Sequence, residues 1–291
     1  MAHMNSASHR FQTPTRIHPH TPLLPACYRG ARIAYHIIYG IFIAAVYPVL
    51  GKPAQRRIMQ YWSRKFLNIL HVGLETNACL HPATTQGCML VANHVSWLDA
   101  VALNAVLPAY FVTPAKVEIW PLLSGMRSRV HNLSARLNTL PENVHINEKI
   151  AELLQRGESV ALFPEVTTTG DAHPGHFHSS LLQGPIDIAA AIYPVAIRYH
   201  DGAGEPNNYA ACADNINLSQ SLWKILRSPA LQITLLYLPP LPSSGKNRRL
   251  LASEARSAIH TALTRSASAS RVPAPGPVPT EQLKEKSQMQ L

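Results

Sequence analysis

Two short, uninterrupted apolar runs, CMLVA at 88–92 and VALF at 160–163, constrain this chain more than any other feature. Each is too short for a stable helix and too apolar for a half-wet strand, so each reads as a buried strand. The segments around them alternate. A helical run at 97–107 stops before Pro108, and the spacing of Ile146, Ile150, Leu153 and Leu154 predicts a helix over 144–156, with Gly157 placed to end it. Residues 181–191 read as helical with a local break at Pro185. Further strands are expected at 110–113, 192–199 and 231–238, the last stopped by Pro239 and Pro240. Strands alternating with helices predict an α/β domain, its central sheet mostly parallel or mixed and flanked by helices. No internal repeat interrupts the pattern.

The N-terminal part is different. Residues 33–50, IAYHIIYGIFIAAVYPVL, carry one strongly polar side chain, His36. As a helix this run measures about 27 Å, just short of a hydrocarbon core of about 30 Å. Arg29 and Arg32 precede it; Lys52, Arg56 and Arg57 follow. A single span, a re-entrant hairpin around Gly40 or Pro48, a surface-lying helix and a buried core helix all satisfy this pattern, with membrane contact the preferred reading. Residues 54–71 then predict a basic amphipathic helix, suited equally to anionic lipid and to packing on the core. The expected organisation is a flexible segment at 1–30, an apolar membrane-associated helix at 31–52, one domain at 53–265 and a disordered tail at 266–291. That tail, rich in Ser, Pro and Ala, holds too few large apolar groups to offset the entropy of ordering.

Lys and Arg outnumber Asp and Glu, 26 to 16, so the chain suits an anionic partner. A membrane surface fits better than nucleic acid, for which no recognition motif exists. The four cysteines form no C-x-x-C pair and read as reduced thiols.

Chemistry concentrates where the two apolar runs end. In CMLVANHVSWLDAVALNAVL a strand ends near Ala92 and a helix starts near Ser96 or Trp97. Ser96 and Asp99 have the spacing of a capping box, which brings His94, on the chain entering the turn, within reach of Asp99. One imidazole nitrogen then donates to the carboxylate while the other remains a free base. The bland alternative is a capping aspartate beside an ordinary loop histidine. VALFPEVTTTGD repeats the layout, with Glu165, Thr167 and Thr168 just beyond a strand, where α/β sheets usually bind ligands. Between the two loops lie Lys116, Arg127, Arg129 and Arg136, a basic set suited to a phosphate.

These blocks together resemble the glycerolipid acyltransferase family, which includes bacterial enzymes acylating lysophosphatidic acid. NHVSWLD is similar to the family's N-H-x-x-x-x-D block, AKVEIWPLLSG to the stretch after it, FPEVTT to F-P-E-G-T and YPVAIRY to the fourth block; together they cover about residues 88–200 in order. The resemblance implies that His94 is the general base on an acceptor hydroxyl and Asp99 its orienting partner. It implies that Glu165 binds or positions the acceptor, with Thr167, Thr168, Lys116 and Arg136 beside it. Acyl-CoA or acyl carrier protein would be the co-substrate, with no resident cofactor or metal. The acceptor implied first is 1-acylglycerol-3-phosphate, giving phosphatidic acid, at the cytoplasmic face of the inner membrane. Two departures stand out: Val166 replaces the family's Gly, and NLSAR lacks the usual apolar pair before Arg136. They keep open a different lysolipid, such as lyso-ornithine lipid, and a catalytically silent lipid-binding protein.

Asp171, His173, His176 and His178 fall in a loop broken by Pro174 and Gly175 and are not expected to hold a metal. Ser159, in GESVA, precedes its strand and so does not form a hydrolase-type elbow.

Overall fold

The computed structural model describes residues 21–77, 87–114, 132–135, 140–165, 174–207, 218–228 and 231–270. In chain order the elements are α1 (Leu23–Val46), a 3-10 turn (Tyr47–Val49), α2 (Lys52–Leu70), β1 (Val72–Thr76), β2 (Met89–Ala92), α3 (Leu98–Val106), β3 (Tyr110–Pro114), β4 (Asn132–Ala135), α4 (Leu140–Gln155), β5 (Val160–Leu162), α5 (Gln183–Asp187), β6 (Ile192–His200), α6 (Leu218–Leu226), β7 (Leu231–Tyr237) and α7 (Arg248–Ser270).

Among the described residues seven strands form one sheet in the order β1-β7-β6-β2-β5-β3-β4. Neighbours run parallel except β6 and β7, so the sheet is mixed, as the alternation of elements predicts. β2 sits at its centre, pairing Met89 with both Val160 and Ile192. Successive side chains of β2 face opposite ways. Leu90 and Ala92 join a core with α2, α3 and α6, whereas Met89 and Val91 join a second core with α4, α5 and α7. Two helical layers thus cover the sheet, and both apolar runs are buried because each feeds two cores at once.

Local chemistry sets the helix ends. Gly157, at φ 74°, closes α4 as predicted: its N–H reaches the Leu154 carbonyl and that of Glu158 reaches Leu153. The helix expected over 181–191 is shorter. Only Gln183–Asp187 is helical, and the stop comes at Ala189 (φ 53°) rather than at Pro185, because proline is tolerated in a first turn. Two edge strands, β1 and β4, and two helices, α6 and α7, were not expected. α7 continues through Ser270, past the boundary drawn at 266, and residues 271–291 lie outside the described ones.

α1 and α2 form a helical hairpin. Ile33, Ile37, Gly40 and Ala44 on α1 face inward. A β-carbon added at Gly40 would lie 2.6 Å from Trp62 Nε1, so this position sets how closely the two helices approach. His36 stacks on Trp62 (centroids 4.9 Å apart) and bonds to its carbonyl oxygen at 3.0 Å. The basic helix α2 uses one stripe to grip the domain. Lys52 and Arg56 pair with Glu158, Gln60 donates to the Val106 carbonyl and Arg64 to that of Ala105. At four-residue spacing these side chains share one face, and the last two cap the C-terminus of α3. Core packing therefore claims much of the charge that also suits lipid.

Candidate active site

Where β2 ends, the chain turns away from the sheet, but the ladder continues through a side chain. The Asn93 amide donates to the Ile197 carbonyl (3.0 Å), and its oxygen accepts the Ile197 N–H (2.8 Å). Asn93 thus substitutes for the strand residue that β2 no longer supplies. With β2 anchored there, residues 94–97 enter α3.

His94 and Asp99 meet at this turn. His94 Nδ1 lies 2.9 Å from Asp99 Oδ2, and the same oxygen accepts the N–H groups of Val95 (2.7 Å) and Ser96 (2.9 Å). Tyr199, at the far end of β6, donates its hydroxyl to Asp99 Oδ1 at 2.6 Å. Asp99 is fully buried, whereas the His94 side chain is 26% exposed. Only the aspartate reaches back, as in a capping box. Helix α3 starts after Trp97, one residue later than a Ser96 cap predicts, and Ser96 Oγ only accepts the Leu98 N–H at 3.4 Å.

Four donors converge on Asp99, so a carboxylate, which only accepts, satisfies every contact. With Nδ1 donating to that carboxylate, a neutral His94 imidazole presents its lone pair at Nε2. The first turn of α3 also favours negative charge at Asp99. The imidazole lies against Phe163, with ring centroids 4.4 Å apart and planes 20° from parallel; Phe111 in turn stacks with Phe163, at 5.9 Å between centroids.

Glu165 belongs to the same edge of the sheet. β2 and β5 are adjacent and parallel, with Val91 opposite Leu162, so His94 and Glu165 each stand three residues past paired positions. Glu165 is buried, and the preceding Pro164 carbonyl accepts the N–H of His178. Lys116, Arg136, Thr167 and Thr168 lie outside the described residues, as do Arg127, Arg129, Val166, Asp171 and His173. β4 ends at Ala135, one residue before Arg136. Among the described residues no group of three or more His, Cys, Asp or Glu side chains is placed to hold a metal ion.

Tyr199, Phe163 and Asn93 escaped the sequence reading as working residues. For Tyr199 the signal is period two along β6, where Val195, Ile197 and Tyr199 share the face toward α3.

Known proteins share this frame. The profile of the family described as Acyltransferase matches residues 76–198, which include the whole turn, Glu165 and most of β6. A lyso-ornithine lipid O-acyltransferase from Pseudomonas aeruginosa is 30% identical over 242 residues, spanning 81% of this chain and 92% of that protein. The chain belongs to the acyltransferase family. A 1-acyl-sn-glycerol-3-phosphate acyltransferase from Neisseria meningitidis is 35% identical over 186 residues, 63% of this chain and 71% of that protein. The crystal structure of the 1-acyl-sn-glycerophosphate acyltransferase PlsC from Thermotoga maritima has the same fold, with a TM-score of 0.58 at 15% identity, over 81% of this chain and 97% of that one. The turn that joins His94 to Asp99 thus lies within the matched region, and the protein is an acyltransferase.

Proposed function

We propose that this acyltransferase moves a fatty acyl group from a thioester, acyl-CoA or acyl carrier protein, to the hydroxyl of a lysolipid, with 1-acylglycerol-3-phosphate as the leading acceptor. The observation that carries the reading is the set of four donors on Asp99, which leaves Nε2 of the partly exposed His94 side chain as the base. Nε2 takes the acceptor's hydroxyl proton as the oxygen attacks the thioester carbonyl. The tetrahedral intermediate collapses, the C–S bond breaks, and the imidazolium returns the proton to the departing thiolate. The charge formed on His94 is held by Asp99 on one side and by the Phe163 ring on the other. No acyl-enzyme forms. Glu165, together with Arg136, Lys116, Thr167 and Thr168, binds the acceptor head group; a phosphate suits this basic set.

A lyso-ornithine acceptor is the second reading. The relative matched over 92% of its own length carries that name, and Val166 and NLSAR depart from the phosphate-binding pattern.

The acceptor comes from the bilayer. α1 with its 3-10 turn is long and apolar enough to cross a membrane by length and composition. It is held along the domain, however, from the Thr21 hydroxyl on the Ser228 carbonyl to the Gln55 amide on the Tyr47 carbonyl. Tyr35, Ile38, Phe42 and Val46 are left exposed on its outer side. A helix so attached lies in one leaflet with its outer face in lipid, here the cytoplasmic leaflet of the inner membrane, with the active site facing the cytoplasm.

The test is acylation by the purified protein in mixed micelles, with 1-oleoylglycerol-3-phosphate and lyso-ornithine lipid as acceptors and palmitoyl-CoA or palmitoyl-acyl carrier protein as donors. Turnover of one acceptor, lost by at least about a thousandfold in His94→Ala with unchanged vesicle binding, supports the reading. Lipid binding without turnover on either acceptor points instead to a silent member of the family, and full activity in His94→Ala removes the mechanism.

A further inference from the structure

We infer that Tyr199 is a positioning residue for acyl transfer, acting on His94 through Asp99; this rests on the reading of His94 as the base. Asp99 is held by two independent parts of the fold. Its Oδ2 belongs to its own turn, accepting from His94, Val95 and Ser96. Its Oδ1 belongs to β6, through the Tyr199 hydroxyl at 2.6 Å. Without that second hold, the carboxylate is fixed at one oxygen only and can swing about it, carrying the imidazole with it.

The register of β6 explains why Tyr199 arrives there. β6 pairs with β2 up to Ala92 opposite Val195. Two residues on, Ile197 is clamped by the Asn93 side chain at both its N–H and its carbonyl. Another two residues on, the same face of the strand delivers Tyr199. The ring is buried, so the bond forms away from water and is strong and directional. β6 therefore extends past the end of β2 and supports the catalytic turn from behind. The apolar alternation of 192–199 shows a strand, but a phenylalanine at 199 would fill the core equally well. What the hydroxyl adds is its bond to Asp99.

Two effects follow from removing that hydroxyl. The imidazole loses aim, which lowers the rate once substrate is bound. The charge of Asp99, spread over one donor fewer, also holds the Nδ1 side of His94 more tightly in its protonated state. The acid limb of the rate profile then moves to higher pH.

The experiment compares wild type, Tyr199→Phe and His94→Ala in the mixed-micelle assay, with kcat and acceptor KM measured from pH 5 to 9. Rates are referred to folded protein, counted by circular dichroism at the assay temperature, and Tyr199→Met serves as a second donor-free variant. The expected result for both Tyr199 variants is a kcat roughly 10- to 100-fold lower, the cost of one hydrogen bond to a charged group. Acceptor KM should stay within about twofold, since Tyr199 is buried and acts through Asp99. The acid limb should rise by a few tenths of a pH unit or more. A kcat and acid limb equal to wild type overturn the inference, as does a raised KM with an unmoved limb, which would mark a merely structural tyrosine. If instead His94→Ala turns over like wild type, the reading of His94 fails, and that outcome is separate from any effect at Tyr199.

Discussion

The imidazole of His94 lies nearly flat on the phenyl ring of Phe163, the first residue after β5, with centroids 4.4 Å apart. The segments that follow two neighbouring strands thus supply the two halves of the contact, and if His94 is the base the ring face meets the imidazolium formed on it. A cation over an aromatic face gains about 0.5–2 kcal/mol. Phe163→Leu keeps an apolar contact and loses that attraction, so kcat should fall about three- to tenfold. The acid limb should move to lower pH, because the imidazolium is less stabilised. Phe163→Trp should retain both properties. Leucine kinetics with an unmoved acid limb would reduce Phe163 to packing alone.

The pair of Glu158 with Lys52 and Arg56, both at 3.1 Å, ties the amphipathic helix α2 to the loop before β5. Burial alone would push the Glu158 carboxyl up, but hydrogen bonds from Lys52 and Arg56 outweigh it and hold the group below its ordinary value of 4.5. A depressed carboxyl contributes stability that is present above the unfolded value and is lost as pH falls through the native one. The thermal midpoint should therefore decline as pH drops below about 4.5. Glu158→Gln should lower the midpoint at pH 7, by the equivalent of about 1 kcal/mol because both cations are partly solvated, and should flatten the acid decline. Thermal unfolding from pH 3 to 7 in detergent checks both; an identical slope in the variant would mean that other carboxylates dominate.

How much of this was legible in the sequence depended on what each segment asks of its residues. β2, β5 and β6 were readable because they are covered on both faces and must be apolar throughout. β1, with VGLET, and β4, with NLSA, lie at or near the sheet edges, where one side needs no apolar cover, so their pattern dissolves into turn-like composition. α7 buries Leu251, Ala255, Ile259 and Leu263 at a spacing of four, but alanine and serine fill the rest and hide the stripe. His94 and Asp99 were readable from the turn between β2 and α3, because a reach-back carboxylate is a local motif. The Tyr199 hydroxyl on Asp99 was not, since a hundred residues separate the partners and only the register of β6 on β2 brings them together. The basic face of α2 shows the opposite failure: its charges are plain in sequence, but only tertiary contacts reveal that Arg56 and Arg64 serve the core.

That division of charge leads to a test of how the acyltransferase holds its membrane. If the outer face of α1 is the anchor, burial of Ile38 and Phe42 in lipid contributes about 1.5–3 kcal/mol each. Ile38→Asp with Phe42→Asp should then weaken binding to vesicles by at least about a hundredfold, at low and high salt alike. The fold should survive, because both side chains are exposed and the inward stripe of Ile33, Ile37 and Ala44 is untouched. Arg57 and Lys65 on α2 are exposed basic residues. Changing both to Glu should cost about 1 kcal/mol for each cation removed from an anionic surface, and that loss should fade in 0.5 M salt as the Debye length shrinks to about 4 Å. Sedimentation with vesicles of phosphatidylethanolamine and phosphatidylglycerol separates the two contributions. Tight binding of the α1 double variant that disappears with salt would shift the anchor from the apolar face of α1 to the charges of α2, and the acceptor would then have to leave the bilayer plane to reach His94.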